Sequence, residues 1–191
     1  MKEEMFEVRW HGRGGQGVVT SSELLALAAL QEGKHVYHAP EFGPERRGAP
    51  VRAYTRISVQ PIELHSSIYT PDAVVVIDPS LQSETQTVTQ GLKRGGLIVV
   101  NAATPHEGLV EAARGLDASL WFVDAYSIAM EVFGRPFYNT PMLGAFVKAS
   151  GLVSIDTVVK VVAGRFGKES KLAESNVLAV KKAYELVKRY E

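Results

Sequence analysis

The chain has 191 residues, 46% of them hydrophobic and 22% charged, which suits one globular domain with a real core. Lys plus Arg (21) balance Asp plus Glu (21), and zero net charge argues against a nucleic-acid footprint, which needs a cationic excess on one face. There is no cysteine, which excludes disulfides, thiol nucleophiles and sole possession of a cysteine-ligated iron–sulfur cluster.

No apolar run is long enough to span a bilayer. Met1–Glu4 leads straight into a strand pattern and lacks a signal-peptide core, so the cytoplasm is the expected compartment and no membrane contact is expected. Met5 to Trp10 reads as strand one, with Phe6, Val8 and Trp10 alternating with Glu7 and Arg9. Four glycines in the six residues 12–17 follow, and an alanine- and leucine-rich helix, Val18 to Gln31, comes directly after. The order strand, glycine turn, helix start aims unpaired N–H groups and a positive dipole end at the turn, where an anion such as phosphate is the natural occupant. Gly12, Arg13, Gly14, Gly15, Gln16 and Gly17 are therefore the candidate cofactor-binding residues. Gly12, Gly14 and Gly17 also match the dinucleotide pattern G-x-G-x-x-G, with Glu41 as a candidate ribose acid. A tight turn without a ligand stays open as a third reading.

His35 to Ala39 reads as strand two. The loop Pro40 to Pro50 has three prolines and two glycines, and it gathers Phe42, Glu45, Arg46 and Arg47. In a parallel sheet this loop and the glycine turn share the carboxyl edge, where open α/β sheets bind ligands. Arginine there offers a fixed fork of donors to phosphate or carboxylate. Val51 to Ser58 alternates strictly, and Pro61 to Ile68 is a weaker run. Together they suggest an antiparallel hairpin after strand two.

Ala73–Ile77, Leu97–Val100 and Leu120–Val123 are continuous apolar runs that read as buried parallel strands, ending at Asp78, Asn101 and Asp124. A helix between the first two starts at Ser83 with Gln86 in a capping box and runs to Leu92. Thr104-Pro105-His106-Glu107 opens another, with Thr104 as cap. From Ala125 the pattern is helical: Ala125–Phe133, then a loop to Asn139, then a helix capped by Thr140 through Ser150. Ser154–Ala163 and a long amphipathic helix, Lys171–Tyr190, complete it. The expected fold is α/β: a mostly parallel open sheet over residues 1–124 with a glycine-rich first turn and an antiparallel hairpin, and a helical C-terminal part, 125–191, of the same single domain.

His35 and His38 lie three apart in a strand and point to opposite faces, and no metal-ligand spacing appears among the five histidines. His11 reads as a turn residue beside the glycine loop. No Gly-x-Ser-x-Gly elbow and no Gly-Asp-Gly thiamine segment is present. No catalytic residue and no metal ligand is assigned, and a ligand-binding or interaction subunit fits better than a complete enzyme.

Three stretches resemble the gamma subunit of 2-oxoacid:ferredoxin oxidoreductases, most closely the pyruvate-oxidising branch. They are Arg9-Trp10-His11-Gly12-Arg13-Gly14-Gly15-Gln16-Gly17, Phe42-Gly43-Pro44-Glu45-Arg46-Arg47-Gly48-Ala49-Pro50-Val51-Arg52-Ala53, and Asn139-Thr140-Pro141-Met142-Leu143-Gly144-Ala145. The resemblance implies a heteromeric complex in which a 2-oxo acid, coenzyme A and oxidised ferredoxin give acyl-CoA, carbon dioxide and reduced ferredoxin. It implies alpha, beta and delta partner subunits. Thiamine diphosphate, Mg2+ and [4Fe-4S] clusters would sit in those partners only. It also implies a role for this chain in binding coenzyme A and covering the active site, with Phe42, Glu45, Arg46, Arg47, Asn139 and Thr140 at the interface or near coenzyme A.

Overall fold

The computed structural model describes residues 5–41 and 48–191. Their strands form one seven-stranded mixed sheet in the order β2-β3-β1-β4-β5-β6-β7. The central strands are β1 (Met5–Arg13), β4 (Ala73–Val76), β5 (Leu97–Asn101) and β6 (Ser119–Val123), and they run parallel. On one flank β3 (Pro50–Ser58) pairs antiparallel with β1, and β2 (His35–Glu41) pairs antiparallel with β3. On the other flank β7 (Lys188–Arg189) pairs antiparallel with β6.

The α/β class is as expected, but the antiparallel element is built differently. Strand β2 is itself an arm of the hairpin, and the run Pro61–Ile68 is not a strand. Its carbonyls instead accept hydrogen bonds from Arg56, a role that alternation cannot reveal. Strand β1 runs three residues past Trp10, because it has partners in β3 up to Arg13 and in β4 up to His11.

Helices cover both faces. Helices α1 (Val18–Gln31), α4 (Ala125–Phe133), α5 (Asn139–Ser150), α6 (Ile155–Phe166) and α7 (Lys171–Leu186) bury Val8, Trp10, Val75 and Val99 on one side. Helices α2 (Thr85–Thr89) and α3 (Glu107–Gly115) bury Val74, Val76, Ile98 and Val100 on the other. Alternate residues of β4 and β5 thus face opposite cores, which is why those strands read as unbroken apolar runs. Each such side chain, fully removed from water, stabilises the fold by about 1.5–3 kcal/mol. Helix α5 is the hub: Thr140 to Val147 are all buried, and the Phe146 ring meets Trp10 at 5.3 Å between centroids.

Helix boundaries shift where a tertiary contact takes the residue that local pattern nominates as a cap. Thr140 does not cap α5; its hydroxyl is fully buried and donates to Asn176 Oδ1 at 2.9 Å. His106, not Thr104, caps α3, accepting from the Gly108 amide at 3.2 Å. Ser83 lies in a short 3-10 turn, Pro79–Ser83, and Asp78 caps that turn by accepting from the Ser80 amide at 2.8 Å. Helix α6 passes through Gly164 to Phe166. Helix α7 stops at Leu186, because Phe122 and Trp121 offer an open strand edge to Lys188 and Arg189. Leu172, in the first turn of that helix, is 55% exposed. Among the described residues no helix is long and apolar enough to cross a membrane.

Candidate functional site

The glycine turn sits where β1 ends and α1 begins, at the carboxyl edge of the parallel strands. Gly12 belongs to the strand. A Cβ there would lie 2.5 Å from Val18 Cγ2, so Gly12 lets α1 pack directly on β1. Gly17 is the residue preceding α1 and has φ +76°; a Cβ on it would lie 2.8 Å from the Asn139 side chain. The backbone conformation and the packing both demand glycine. The structure therefore brings the first and third resemblance stretches into contact, Gly17 against Asn139. Asn139 is further fixed by its carbonyl, which accepts from Ser21 Oγ at 3.1 Å. Thr140, the other candidate of that stretch, turns into the core.

Hydrogen bonding divides the turn's amides into two groups. The Gly14 amide donates to Ala49 O at 2.9 Å and the Gln16 amide to Arg13 O at 3.1 Å. The amides of Gly15, Gly17, Val18 and Val19 have no hydrogen-bond partner among the described residues. The amides left without an internal acceptor are thus those of Gly15, Gly17 and the first helical residues, not the whole run 14–17. Gln16 instead braces the turn: its Oε1 accepts from the Arg13 amide at 2.8 Å, and its Nε2 donates to Asp78.

Arg13 is held by acids. Its guanidinium lies 3.7 Å from Asp78 and 3.8 Å from Glu84, and it donates to Ser80 Oγ at 3.2 Å. Its charge is largely offset, and net attraction for an anion must come from the main chain or from neighbouring arginines. The second stretch reaches the same edge. Gly48 N donates to Gly14 O at 3.3 Å, and Pro50 pairs with Arg13 in the β1–β3 register. Phe42, Glu45, Arg46 and Arg47 lie outside the described residues.

Sequence reasoning missed the polar layer behind this edge. Glu7, Arg9 and His11 all face one side of the sheet and are buried, at 8%, 4% and 3% exposure. Arg9 Nε donates to His11 Nε2 at 2.9 Å, and its Nη2 donates to the carbonyls of Val88 and Gln90 at 3.2 and 2.6 Å. Burial, then the charges of Arg9 and Arg52, hold the His11 imidazole well below its usual pKa. Burial, then the charge of Arg52, lowers Arg9 to about 10. His11 is therefore a neutral strand residue and not a turn residue open to a ligand. The alternation of β1 was legible; that its polar side is covered was not.

The residues ending the core strands have structural tasks. Asp124 caps α4 by accepting from the Ser127 amide at 2.9 Å. Asn101 ties β4 to α4, donating to Ile77 O at 2.9 Å and accepting from Ala125 N at 3.1 Å. Tyr138 lies near Asp78, and burial, with the Asp78 carboxylate and Tyr126 nearby, raises its phenol pKa. Among the described residues no group of three or more His, Cys, Asp and Glu is placed to hold a metal ion. Glu41 is not free for a ribose: it accepts a hydrogen bond from Tyr54 OH, and β3 separates β2 from β1. The adjacent parallel pair that a dinucleotide motif needs is absent from this part of the sheet.

Together these features define an open-sheet α/β protein with a glycine turn at the carboxyl edge of its parallel strands. The model of the pyruvate ferredoxin/flavodoxin oxidoreductase family matches residues 7–186. A relative from Thermococcus litoralis, the common gamma subunit of pyruvate/ketoisovalerate oxidoreductases, is 48% identical, with 98% of this chain and 100% of that protein covered. The crystal structure of the pyruvate oxidoreductase subunit PORC from Thermotoga maritima superposes with a TM-score of 0.85 at 37% identity, covering 99% and 100% of the two chains. A 2-oxoglutarate:ferredoxin oxidoreductase from Magnetococcus marinus, solved with 2-oxoglutarate, coenzyme A and succinyl-CoA bound, shares the fold. Its TM-score is 0.77 at 20% identity, over 96% of this chain and 31% of that one. The chain belongs to the pyruvate ferredoxin/flavodoxin oxidoreductase family, as a gamma-type subunit.

Proposed function

We propose that this chain supplies the coenzyme A-facing wall of a pyruvate:ferredoxin oxidoreductase and covers its active site, without catalysing. The reaction cleaves the bond between the 2-oxo acid's carbonyl carbon and its carboxylate, releasing carbon dioxide. It passes two electrons singly to ferredoxin and forms the thioester with coenzyme A. Alpha, beta and delta subunits hold thiamine diphosphate, Mg2+ and [4Fe-4S] clusters, since this chain has no cysteine to ligate a cluster.

The observation that carries the proposal is the set of unpartnered amides at Gly15, Gly17, Val18 and Val19, where a helix begins. Such donors, backed by the helix dipole, suit a phosphate. Arg46 and Arg47, on the loop that returns to Gly14, would add charge that Arg13 has already spent on Asp78 and Glu84. Anaerobic co-purification of the native complex, followed by steady-state kinetics of Arg46→Ala/Arg47→Ala, tests this. A raised KM for coenzyme A with an unchanged KM for pyruvate is expected. Unchanged coenzyme A kinetics with poorer assembly would assign the two arginines to the subunit interface.

A second reading has its own support. Tyr126 and Met130 on α4 and Phe137 in the loop after it, exposed by 52%, 39% and 46%, make an apolar stripe that runs off the end of the helix. Aromatic residues and Met are enriched in protein interfaces. This stripe would seat the alpha subunit around the same site.

A further inference from the structure

Helix α1 is apolar without a break from Leu24 to Leu30. A helix that is apolar on every side is normally covered on every side. The fold buries Leu24, Leu25, Ala28 and Ala29 completely, but it leaves Leu27 and Leu30, neighbours on the outer stripe, 38% and 54% exposed. Between these leucines and α6 runs a groove of about 850 Å3, along the half of α1 away from the glycine turn. Val159, Ala163 and Gly164 complete its apolar lining.

The rim of the groove is cationic. Lys160, Arg165 and Lys168 line it. Among the described residues Glu23, 4.0 Å from Arg165, is the one acid within ion-pair distance of any of the three. Gly164 sits one turn after Lys160 in α6, with helical backbone, and no atom lies within 4 Å of the place its Cβ would take. Neither a positive φ nor packing inside the chain calls for glycine there, and Ala would favour the helix. A helix face without a Cβ does let another backbone approach closely.

We infer that this groove seats an amphipathic helix of a partner subunit. Its apolar stripe lies on Leu27, Leu30 and Val159, its acidic flank runs along Lys160, Arg165 and Lys168, and its backbone crosses at Gly164. Docking of this kind joins apolar anchors at helical spacing to a groove, and opposite charge at the rim fixes the register. An enclosed small-molecule site typically buries about 70–90% of its ligand, and a trough with its leucines so open would not. A second copy on a two-fold axis would bring the cationic rims together. The inference rests on heteromeric assembly and is independent of the coenzyme A reading.

Carbodiimide cross-linking of the anaerobically purified complex, read by peptide mass spectrometry, tests this. Lys160 and Lys168 should link to Asp or Glu residues at helical spacing in one segment of a partner subunit. Both lysines should be acetylated readily in the free full-length chain and be protected in the complex. Two tagged variants, Lys160→Glu/Lys168→Glu and Gly164→Trp, would each be co-expressed with the untagged wild-type chain. Each should enter the purified complex at least about tenfold less often than the tagged wild type, since one opposes charge and the other fills the groove. As free chains both should keep the parent's circular dichroism and melting profile, because all three positions are exposed. Equal acetylation of the two lysines in the free chain and the complex would overturn the inference, as would equal incorporation of the folded variants. Cross-links that join two copies of this chain would overturn it in favour of self-association.

Discussion

Replacing Arg56 by Met should destabilise the chain by about 3–5 kcal/mol, the usual cost of removing one partner of a buried ion pair. Arg56 is 1% exposed and its Nε donates to Glu7 Oε1 at 2.7 Å. Its Nη atoms donate to the carbonyls of Leu64, Ser66 and Ser67 at 3.1, 2.7 and 3.3 Å, and its guanidinium lies 5.4 Å from the Tyr37 ring centroid. Met keeps most of the stem's volume, so the loss is electrostatic. The carbonyls belong to an exposed segment and can rehydrate, whereas Glu7, 8% exposed, is left as an uncompensated carboxylate. The double variant Glu7→Leu/Arg56→Met removes both charges and should recover most of the deficit. Urea unfolding of the three proteins, read by circular dichroism, gives the comparison. A further mark is faster proteolysis within 59–70 in the single variant, because Arg56 ties that segment to the sheet. A single variant within about 1 kcal/mol of the parent, or a double variant less stable than the single, would refute the view that Glu7 depends on Arg56.

Ala at Gly144 would place its Cβ 2.1 Å from Val180 O, forcing α5 and α7 apart, while Gly164 has no atom within 4 Å of such a Cβ. Gly144→Ala should lower stability by about 3 kcal/mol, and Gly164→Ala should raise it by about 0.5–1 kcal/mol; thermal melts showing equal effects would contradict the packing. Burial and the charges of Arg9 and Arg52 hold His11 below its usual pKa, and burial lowers His38 in the same direction. The unfolded chain then binds protons that the folded chain refuses, so this stability is complete above roughly pH 6.5 and is lost as pH falls below it. His11→Gln should flatten the fall in Tm between about pH 7 and 5; an unchanged slope would assign it elsewhere. Gly17→Ala, which forces a Cβ against Asn139 at 2.8 Å, should raise the KM for coenzyme A in the complex and leave the KM for pyruvate unchanged. Equal effects on both would indicate general loss of assembly.

The α/β class and the glycine turn between a strand and a helix were legible in the sequence alone. Those features are local. An unbroken Val run such as Ala73–Val76 must be covered on two faces, and a glycine cluster before an apolar helix has few other uses. The family was legible too, from three stretches whose described residues meet at the turn, Gly17 against Asn139 and Gly14 against Gly48. Tertiary structure alone decided which polar groups are free. Alternation showed that Glu7, Arg9 and His11 share a face; only the fold covers that face with residues far along the chain and makes it a buried network. Thr140 and Ser83 carry the local marks of caps, but Thr140 is claimed by Asn176 and Ser83 falls inside a turn capped by Asp78. The run Pro61–Ile68 has strand-like residues, but β3 finds its partners in β1 and β2, so no edge remains for it. Spacing along a chain fixes periodicity and local hydrogen bonds, whereas burial and charge balance depend on partners that only folding brings together.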